Sequence, residues 1–168
     1  MYDVTYDKIK YNGLNGGMQM EIQPYTRMVF YHETDRMDIV NHSNYVHMME
    51  EARVDFMNKI GVGYDKMEEK GILLPVLELT CKYLHPLHFG EHIAVFSHIT
   101  KYNSFKLQLQ YEICCVEHDN EVCATGMSSH CFTDASMKPM RIRDKFPDLH
   151  QFFLNAMEAI YPNAQPAV

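Results

Sequence analysis

Residues 45–61 of the chain read YVHMMEEARVDFMNKIG, and this stretch decides the fold. Its apolar side chains recur at steps of three and four residues, and charged residues lie mostly between them. The spacing puts the apolar residues on one face of an α-helix, because a helix has about 3.6 residues per turn. We therefore predict an amphipathic helix of about four turns, ended by Gly61 and Gly63, with a buried face formed by Tyr45, Met48, Met49, Ala52, Phe56 and Ile60.

The segments on either side of this helix have strand character. Residues 25–33, YTRMVFYHE, are rich in aromatic and β-branched side chains. After a short helix predicted over 64–70, the pattern predicts four more strands, over 73–84, 91–102, 105–117 and 121–133. The turns that separate these four strands are short, which favours a meander of hairpins. Residues 146–160 begin with Phe-Pro-Asp and are typical of a further helix.

This order of elements indicates an α+β fold with a long central helix wrapped by a curved antiparallel sheet of about five strands. An open sheet exposes an edge strand, and pairing that edge across a dimer would protect it. We divide the chain into an N-terminal arm (1–24), one folded domain (25–147), and a C-terminal helix and tail (148–168).

Composition excludes several classes of protein. The 168 residues carry a formal net charge of −7, so the basic footprint of a nucleic-acid-binding protein is absent. The N-terminal residues contain no apolar signal region, and no apolar run is long enough to span a bilayer. The five cysteines include no Cys-x-x-Cys pair, which favours reduced thiols. We expect a cytoplasmic protein with neither nucleic acid nor membrane as a partner.

The stretch Phe30–Arg53 is the richest in groups that can carry chemistry. It contains two carboxylates, Asp35 and Asp38, and His42 beside the predicted helix start. The first N–H groups of a helix lack partners and favour negative charge, so they can hold a developing oxyanion. A nearby carboxylate can activate water or attack a carbonyl. The same residue types also cap ordinary helices, so these residues alone leave catalysis open.

The stretch resembles the 4-hydroxybenzoyl-CoA thioesterase-like family of hotdog-fold proteins. That family's motif has an Asp, a Gly, a hydrophobic pair, a His- or Asn-bearing turn, an Asn-Tyr pair, and a helix with Glu-x-Ala-Arg. The matching residues here are Thr34-Asp35, Ile39-Val40, His42, Asn44-Tyr45 and Glu50-Glu51-Ala52-Arg53. Downstream matches are Pro75-Val76, Tyr83-x-x-Pro86, Phe89-Gly90-Glu91, Ala124-Thr125-Gly126 and Phe132-Thr133-Asp134, so the resemblance spans residues 25–147. Asp38 departs from it, because the family usually has Gly there.

The resemblance implies a hotdog fold and hydrolysis of an acyl-CoA to a free carboxylic acid and CoA. It implies that Asp35 is the general base or the nucleophile, and that His42 orients the substrate or water. Asn44, Tyr45 and Asp38 are expected to bind substrate or to shape its pocket. The resemblance also implies a homodimer or homotetramer with shared sites. No cofactor is expected, because CoA is part of the substrate.

Two other functions stay open at this point. The Asp38 departure is compatible with a non-catalytic hotdog protein that binds acyl-CoA. The helix-start motif partly resembles thioesterases that act on acyl-carrier protein, although the acidic net charge of −7 would repel an acidic carrier protein. The basic stretch Arg141–Lys145 could offset that repulsion. A serine hydrolase is disfavoured, because no Gly-x-Ser-x-Gly occurs.

Two further groups of residues have ordinary interpretations. His85, His88 and His92 lie around a Pro-Gly turn rather than on one helix face, and no cysteine or second ligand pair joins them, so no metal site is expected. Glu51 matches the helix carboxylate of the family motif. We interpret it as an ion-pair or hydrogen-bond partner of a residue such as Arg53.

Overall fold

A computed structural model gives the fold of residues 22–160, with side chains described as far as Met157. Most of the predicted N-terminal arm and the end of the tail lie outside these residues. The elements are β1 (Tyr25–Met28), a 3-10 turn (Tyr31–Glu33), α1 (Asn44–Lys59), α2 (Tyr64–Glu69), β2 (Val76–Tyr83), β3 (His92–Tyr102), β4 (Lys106–Cys115), β5 (Glu121–Cys131), α3 (Ile142–Lys145) and α4 (Pro147–Ile160).

The five strands form one antiparallel sheet in the order β1-β3-β4-β5-β2. The predicted α+β class and the strand number are confirmed. The hairpins β3–β4 and β4–β5 also form as predicted. The predicted β2–β3 hairpin is wrong, because β1 occupies the neighbouring edge of β3 and β2 pairs with the far edge of β5, from Val76↔His130 to Tyr83↔Ala124.

The first predicted strand is shorter than its composition suggests. β1 ends at Met28, and the chain then forms the 3-10 turn Tyr31–Glu33. The Glu33 carboxylate accepts the Phe30 N–H at 2.7 Å, which closes this turn and ends the extended backbone. The aromatic residues that favoured a longer strand are exposed: Tyr31 is 76% accessible.

Helix α1 packs against one face of the sheet. The six apolar helix residues predicted to form its buried face are all buried. Gly126 on β5 lies beneath the helix: a Cβ there would overlap Met49 Sδ and come within 3.0 Å of the Thr80 carbonyl oxygen. Register shifts in the β2–β5, β3–β4 and β4–β5 ladders mark irregularities that bend strands. Small residues and bent strands therefore let the sheet approach and curve around α1.

A buried polar chain crosses the interface between α1 and the sheet. Arg53 points inward, 6% exposed, and its Nη1 lies 3.5 Å from His130 Nε2. That nitrogen is 2.8 Å from Ser128 Oγ, which lies 2.7 Å from Tyr111 Oη. Burial and the neighbouring Arg53 charge lower the pKa of His130 to about 4. The imidazole is therefore neutral at physiological pH, and it accepts a hydrogen bond beside the buried guanidinium.

The C-terminal helix predicted over residues 146–160 is present as α4. Phe153 of α4 packs against the rings of Tyr102 and Phe132, with centroids 5.0 and 5.7 Å away. The short helix α3 before it was not predicted. Within residues 22–160, none of the helices has the combination of length and apolar character needed to cross a bilayer.

Candidate active site

Asp35 lies in a tight turn between Thr34 and Val40, which form an isolated antiparallel bridge. Its backbone N–H donates to the Ile39 carbonyl at 3.0 Å. Its Oδ1 accepts the Met37 N–H at 2.8 Å. The second carboxylate oxygen has no hydrogen-bond partner within residues 22–160. The turn therefore fixes the half-buried carboxylate and leaves one oxygen available for a reacting group.

Asp38 occupies the same turn with a φ of 60°. This left-handed region favours Gly, and among other residues Asn and Asp enter it most readily. The N–H of Asp38 donates to the Asp35 carbonyl at 3.0 Å. The conformation explains why Asp can replace the Gly of the family motif. The side chain is exposed and is not among the residues that line the adjacent cleft.

A cleft of about 360 Å³ opens between this turn, the start of α1 and the end of β2. Asp35, His42 and Tyr45 all line it. The structure thus brings together three of the five predicted site residues. Apolar and aromatic side chains complete the wall, together with one further histidine: Met37, Ile39, Val40, Tyr83, Leu84, His85 and Pro86.

Asn44, the fifth predicted site residue, supports the loop rather than the cleft wall. Its side-chain amide donates to the Glu33 carbonyl at 2.7 Å. The Asn41 N–H donates to the same carbonyl oxygen at 2.8 Å. These two bonds connect the start of α1 to the segment before Asp35. This placement agrees with the expectation that Asn44 holds the loop.

The start of α1 offers hydrogen-bond donors beside Asp35. The Ser43 N–H and hydroxyl both approach Asn41 Oδ1, at 3.1 and 2.8 Å. The N–H groups of His42 and Tyr45, by contrast, have no acceptor among the described residues. Unpaired N–H groups at the positive end of a helix can stabilise an oxyanion. The cleft therefore combines a carboxylate with donors suited to a polarised carbonyl.

Tyr83 is a site residue that the sequence did not single out. Its hydroxyl donates to the His42 carbonyl at 3.1 Å, and its ring meets Tyr45 edge to face at 5.2 Å. Burial raises the pKa of Tyr45 to about 12, despite a hydrogen bond from the Leu87 backbone, so this phenol stays neutral. The available signal was the position of Tyr83 in the Tyr83-x-x-Pro86 piece of the motif.

A buried ionic network anchors the segment that carries Asp35. Arg27 of β1 donates to both oxygens of Glu33, at 2.8 and 2.6 Å, and to Glu51 of α1 at 2.7 Å. Burial opposes ionisation of Glu33, but the bonds from Arg27 and the Phe30 N–H prevail and lower its pKa. Glu51 is an ion-pair partner, as predicted, but it pairs with Arg27 and not with Arg53. Residues two apart point to different helix faces, and Arg53 points inward.

One protein family and several individual proteins have sequences similar to that of this chain. The model of the thioesterase-like superfamily matches residues 29–156. YneP of Bacillus subtilis (strain 168), whose name as an acyl-CoA thioesterase is provisional, is 40% identical over 129 residues, which cover 76% of this chain and 92% of YneP. The chloroplastic acyl-acyl carrier protein thioesterase ATL3 of Arabidopsis thaliana is 25% identical over 158 residues, covering 93% of this chain and 82% of ATL3.

A solved structure shares the architecture. The DHNA-CoA thioesterase of Staphylococcus aureus superposes with a TM-score of 0.77 at 28% identity, covering 86% of this chain and 96% of that one. This similarity confirms the predicted hotdog fold. The family match covers the turn with Asp35, the helix start and strands β2 to β5, and it continues into α4. The chain therefore belongs to the thioesterase-like superfamily and is a thioester hydrolase of the hotdog fold.

Proposed function

We propose that the protein hydrolyses acyl-CoA thioesters to free carboxylic acids and CoA, with Asp35 as the catalytic carboxylate. One observation carries this proposal: a single cleft is lined by Asp35, which has an unpaired carboxylate oxygen, and by His42 and Tyr45, whose N–H groups have no acceptor among the described residues. The provisional name of YneP and the name of the Staphylococcus aureus enzyme both specify CoA thioesters, which supports CoA as the carrier.

In the general-base route, Asp35 takes a proton from water as the water oxygen attacks the thioester carbonyl carbon. The carbonyl oxygen becomes an oxyanion and accepts hydrogen bonds from the N–H groups at the start of α1. The carbon–sulfur bond then breaks, and the proton held by Asp35 passes to the CoA thiolate. His42 lines the cleft at this point and orients the substrate or the water.

In the nucleophilic route, an Asp35 oxygen attacks the thioester carbon and releases the CoA thiolate, which takes a proton from solvent. The resulting mixed anhydride is hydrolysed by water, which regenerates the carboxylate and releases the acid. Both routes need the same oxygen and the same N–H donors. Hydroxylamine separates the two routes, because it traps an anhydride and leaves a hydroxamate on Asp35 only if that intermediate forms.

Acyl-carrier protein is the second candidate carrier, because the similarity to ATL3 extends over 93% of this chain. The formal net charge of −7 opposes the approach of an acidic carrier. The basic stretch Arg141–Lys145 offers only partial compensation. Its Arg141 stacks on Phe105 at 4.7 Å, and its Arg143 pairs with the adjacent Asp144 at 3.3 Å. We therefore rank CoA first.

We also propose that two copies pair along β2. This strand is an edge of the sheet, and it exposes large apolar side chains: Val76 is 47% and Leu77 is 52% accessible. Exposed apolar edges are a liability that dimer pairing removes. Tyr83 at the end of β2 lines the cleft, so a partner on this edge would lie beside the site.

Light scattering tests the pairing along β2. The wild type should give at least a dimer mass, and Leu77→Lys should lower that mass to one chain. An active wild-type monomer would contradict the proposal.

Thiol release from a panel of thioesters tests the function. The panel contains short, long and aromatic acyl groups, each presented on CoA and on acyl-carrier protein. The wild type should turn over at least one acyl-CoA saturably, with a higher kcat/KM than the same acyl group on carrier protein. Turnover on carrier protein alone would replace the CoA assignment. Tight acyl-CoA binding without turnover would instead support the non-catalytic alternative.

A further inference from the structure

A group of metal-type ligands lies at the end of the sheet where β3 begins and the β4–β5 turn folds back. Glu91, Cys115 and His118 place one donor atom each within 4.8 Å of one another. His88 is a neighbour of this group rather than a member, because its Nδ1 lies 3.5 Å from Glu91 Oε1 but is not within 4.8 Å of every other donor atom. These residues come from two separate loops and from the end of β4. None of them lines the cleft with Asp35.

The distance between Glu91 and His118 suits a tetrahedral ion. Zinc bound to nitrogen and oxygen at about 2.0–2.1 Å needs neighbouring donors about 3.3 Å apart. Glu91 Oε1 lies 3.3 Å from His118 Nε2, and the Cys115 sulfur lies within 4.8 Å of both. The other Glu91 oxygen accepts the His88 N–H at 2.7 Å, which fixes the carboxylate in place. Hydrogen bonds to a ligand's second atom commonly orient metal ligands in this way.

We propose that Glu91, Cys115 and His118 bind a divalent transition metal ion of the zinc type. A thiolate, an imidazole and a carboxylate are donors that zinc prefers, and three protein ligands leave one position of a tetrahedral ion for water. The His118 side chain is 54% exposed, so it can adjust to the ion at little cost. The site ties the connection between β2 and β3 to the β4–β5 turn.

The Cys115 side chain lies inside the fold and is 1% exposed. When a metal ion binds, a sulfur–metal bond replaces the S–H bond, and the proton is released to the solvent.

The sequence did not indicate this group, because its members are far apart along the chain. No cysteine or second ligand pair joined the histidines of this turn, which argued against a metal. Antiparallel pairing of β3 with β4 brings Cys115 opposite Ile93 and the β4–β5 turn beside Glu91. His85 and His92, the other histidines of that turn, pair instead with Glu121 at 3.4 Å and Glu117 at 2.7 Å.

Cobalt(II) titration of the tag-free, chelator-treated full chain tests the proposal. We expect one equivalent of cobalt to bind with a thiolate-to-cobalt charge-transfer band, and one equivalent of zinc to displace it. Cys115→Ser should abolish the band, and His118→Ala should weaken binding at least tenfold. Cys131→Ser and His47→Ala are the matched controls and should titrate like the wild type, because Cys131 lies at the opposite end of the β4–β5 hairpin and His47 is exposed on α1.

Three results would overturn the site. The first is the absence of a charge-transfer band with excess cobalt in the folded wild-type protein. The second is wild-type affinity in His118→Ala, whose exposed turn position keeps it informative even if Cys115→Ser fails to fold. A band that persists in folded Cys115→Ser would likewise assign the bound cobalt to another cysteine.

Discussion

Replacing Glu33 with Gln should destabilise the protein by about 3 kcal/mol at neutral pH. The Glu33 side chain is 5% exposed and accepts the Phe30 N–H and two N–H groups of Arg27, at 2.6–2.8 Å. Removing one partner of a buried ion pair costs about 3–5 kcal/mol, because the other charge is left uncompensated. Arg27 keeps its bond to Glu51 at 2.7 Å, which places the expected loss at the lower end.

The same variant has a defined pH dependence. The pKa of Glu33 in the folded state is lowered from its ordinary value of 4.5, so the unfolded chain binds this proton more readily. Glu33 therefore contributes stability above about pH 4.5, and this contribution is lost as the pH falls through the lower, folded-state pKa. Glutamine does not titrate. The free-energy difference between wild type and variant should accordingly narrow as the pH falls below about 4.5.

Urea denaturation at a series of pH values measures both effects. A double-mutant cycle with Arg27→Met provides the control, because removing the buried cation should offset part of the loss from Glu33→Gln. A destabilisation below about 0.5 kcal/mol, the range of ordinary surface substitutions, would refute the role of this network. A free-energy difference that does not change with pH would refute the ionised state of Glu33.

Substitutions at three further positions test single contacts. Gly126→Ala should cost about 1–3 kcal/mol in urea denaturation, because its Cβ would overlap Met49 Sδ; wild-type stability would show that the helix can move away. Asp38→Gly should stabilise the turn, and Asp38→Ala should destabilise it by about 1 kcal/mol, since φ is 60° there; equal melting temperatures would contradict this reasoning. Tyr83→Phe should lower kcat by up to about tenfold, a 1.4 kcal/mol loss, because the His42 carbonyl loses its 3.1 Å donor; unchanged thiol release would remove Tyr83 from the site.

Local patterns predicted the elements well. The three- and four-residue spacing gave a helix over 45–60, and the structure has α1 at Asn44–Lys59, because this periodicity depends only on near neighbours. The partner of β2 was not predictable in this way. A short connection with Pro86 and Gly90 indicates a turn between β2 and β3. Strand pairing, however, depends on which sheet edges are free, and the edge of β3 is paired with β1.

The candidate site likewise contains some residues that the local sequence identified and others that it did not. The ordered motif identified Asp35, His42 and Tyr45, which the structure places around one cleft. The other contacts depend on residues distant in sequence. Tyr83 reaches the cleft because β2 ends beside α1, and Arg27 reaches Glu51 because β1 runs along the helix. The sequence showed Asp38 only as a departure from the motif. Its φ of 60° in the structure explains why Asp can replace Gly there.

The most direct test of the central claim compares two carboxylates of one turn. Asp35 lines the cleft, whereas Asp38 is exposed outside it, so the two Asp→Asn variants differ in chemistry but not in charge or in the segment they occupy. Thiol release from the best acyl-CoA should fall by about a hundredfold or more in Asp35→Asn, the scale of a lost acid–base group. Asp38→Asn should keep wild-type turnover, because Asn also tolerates the left-handed region. Turnover at the wild-type level in folded Asp35→Asn, or an equal loss in both variants, would contradict the account.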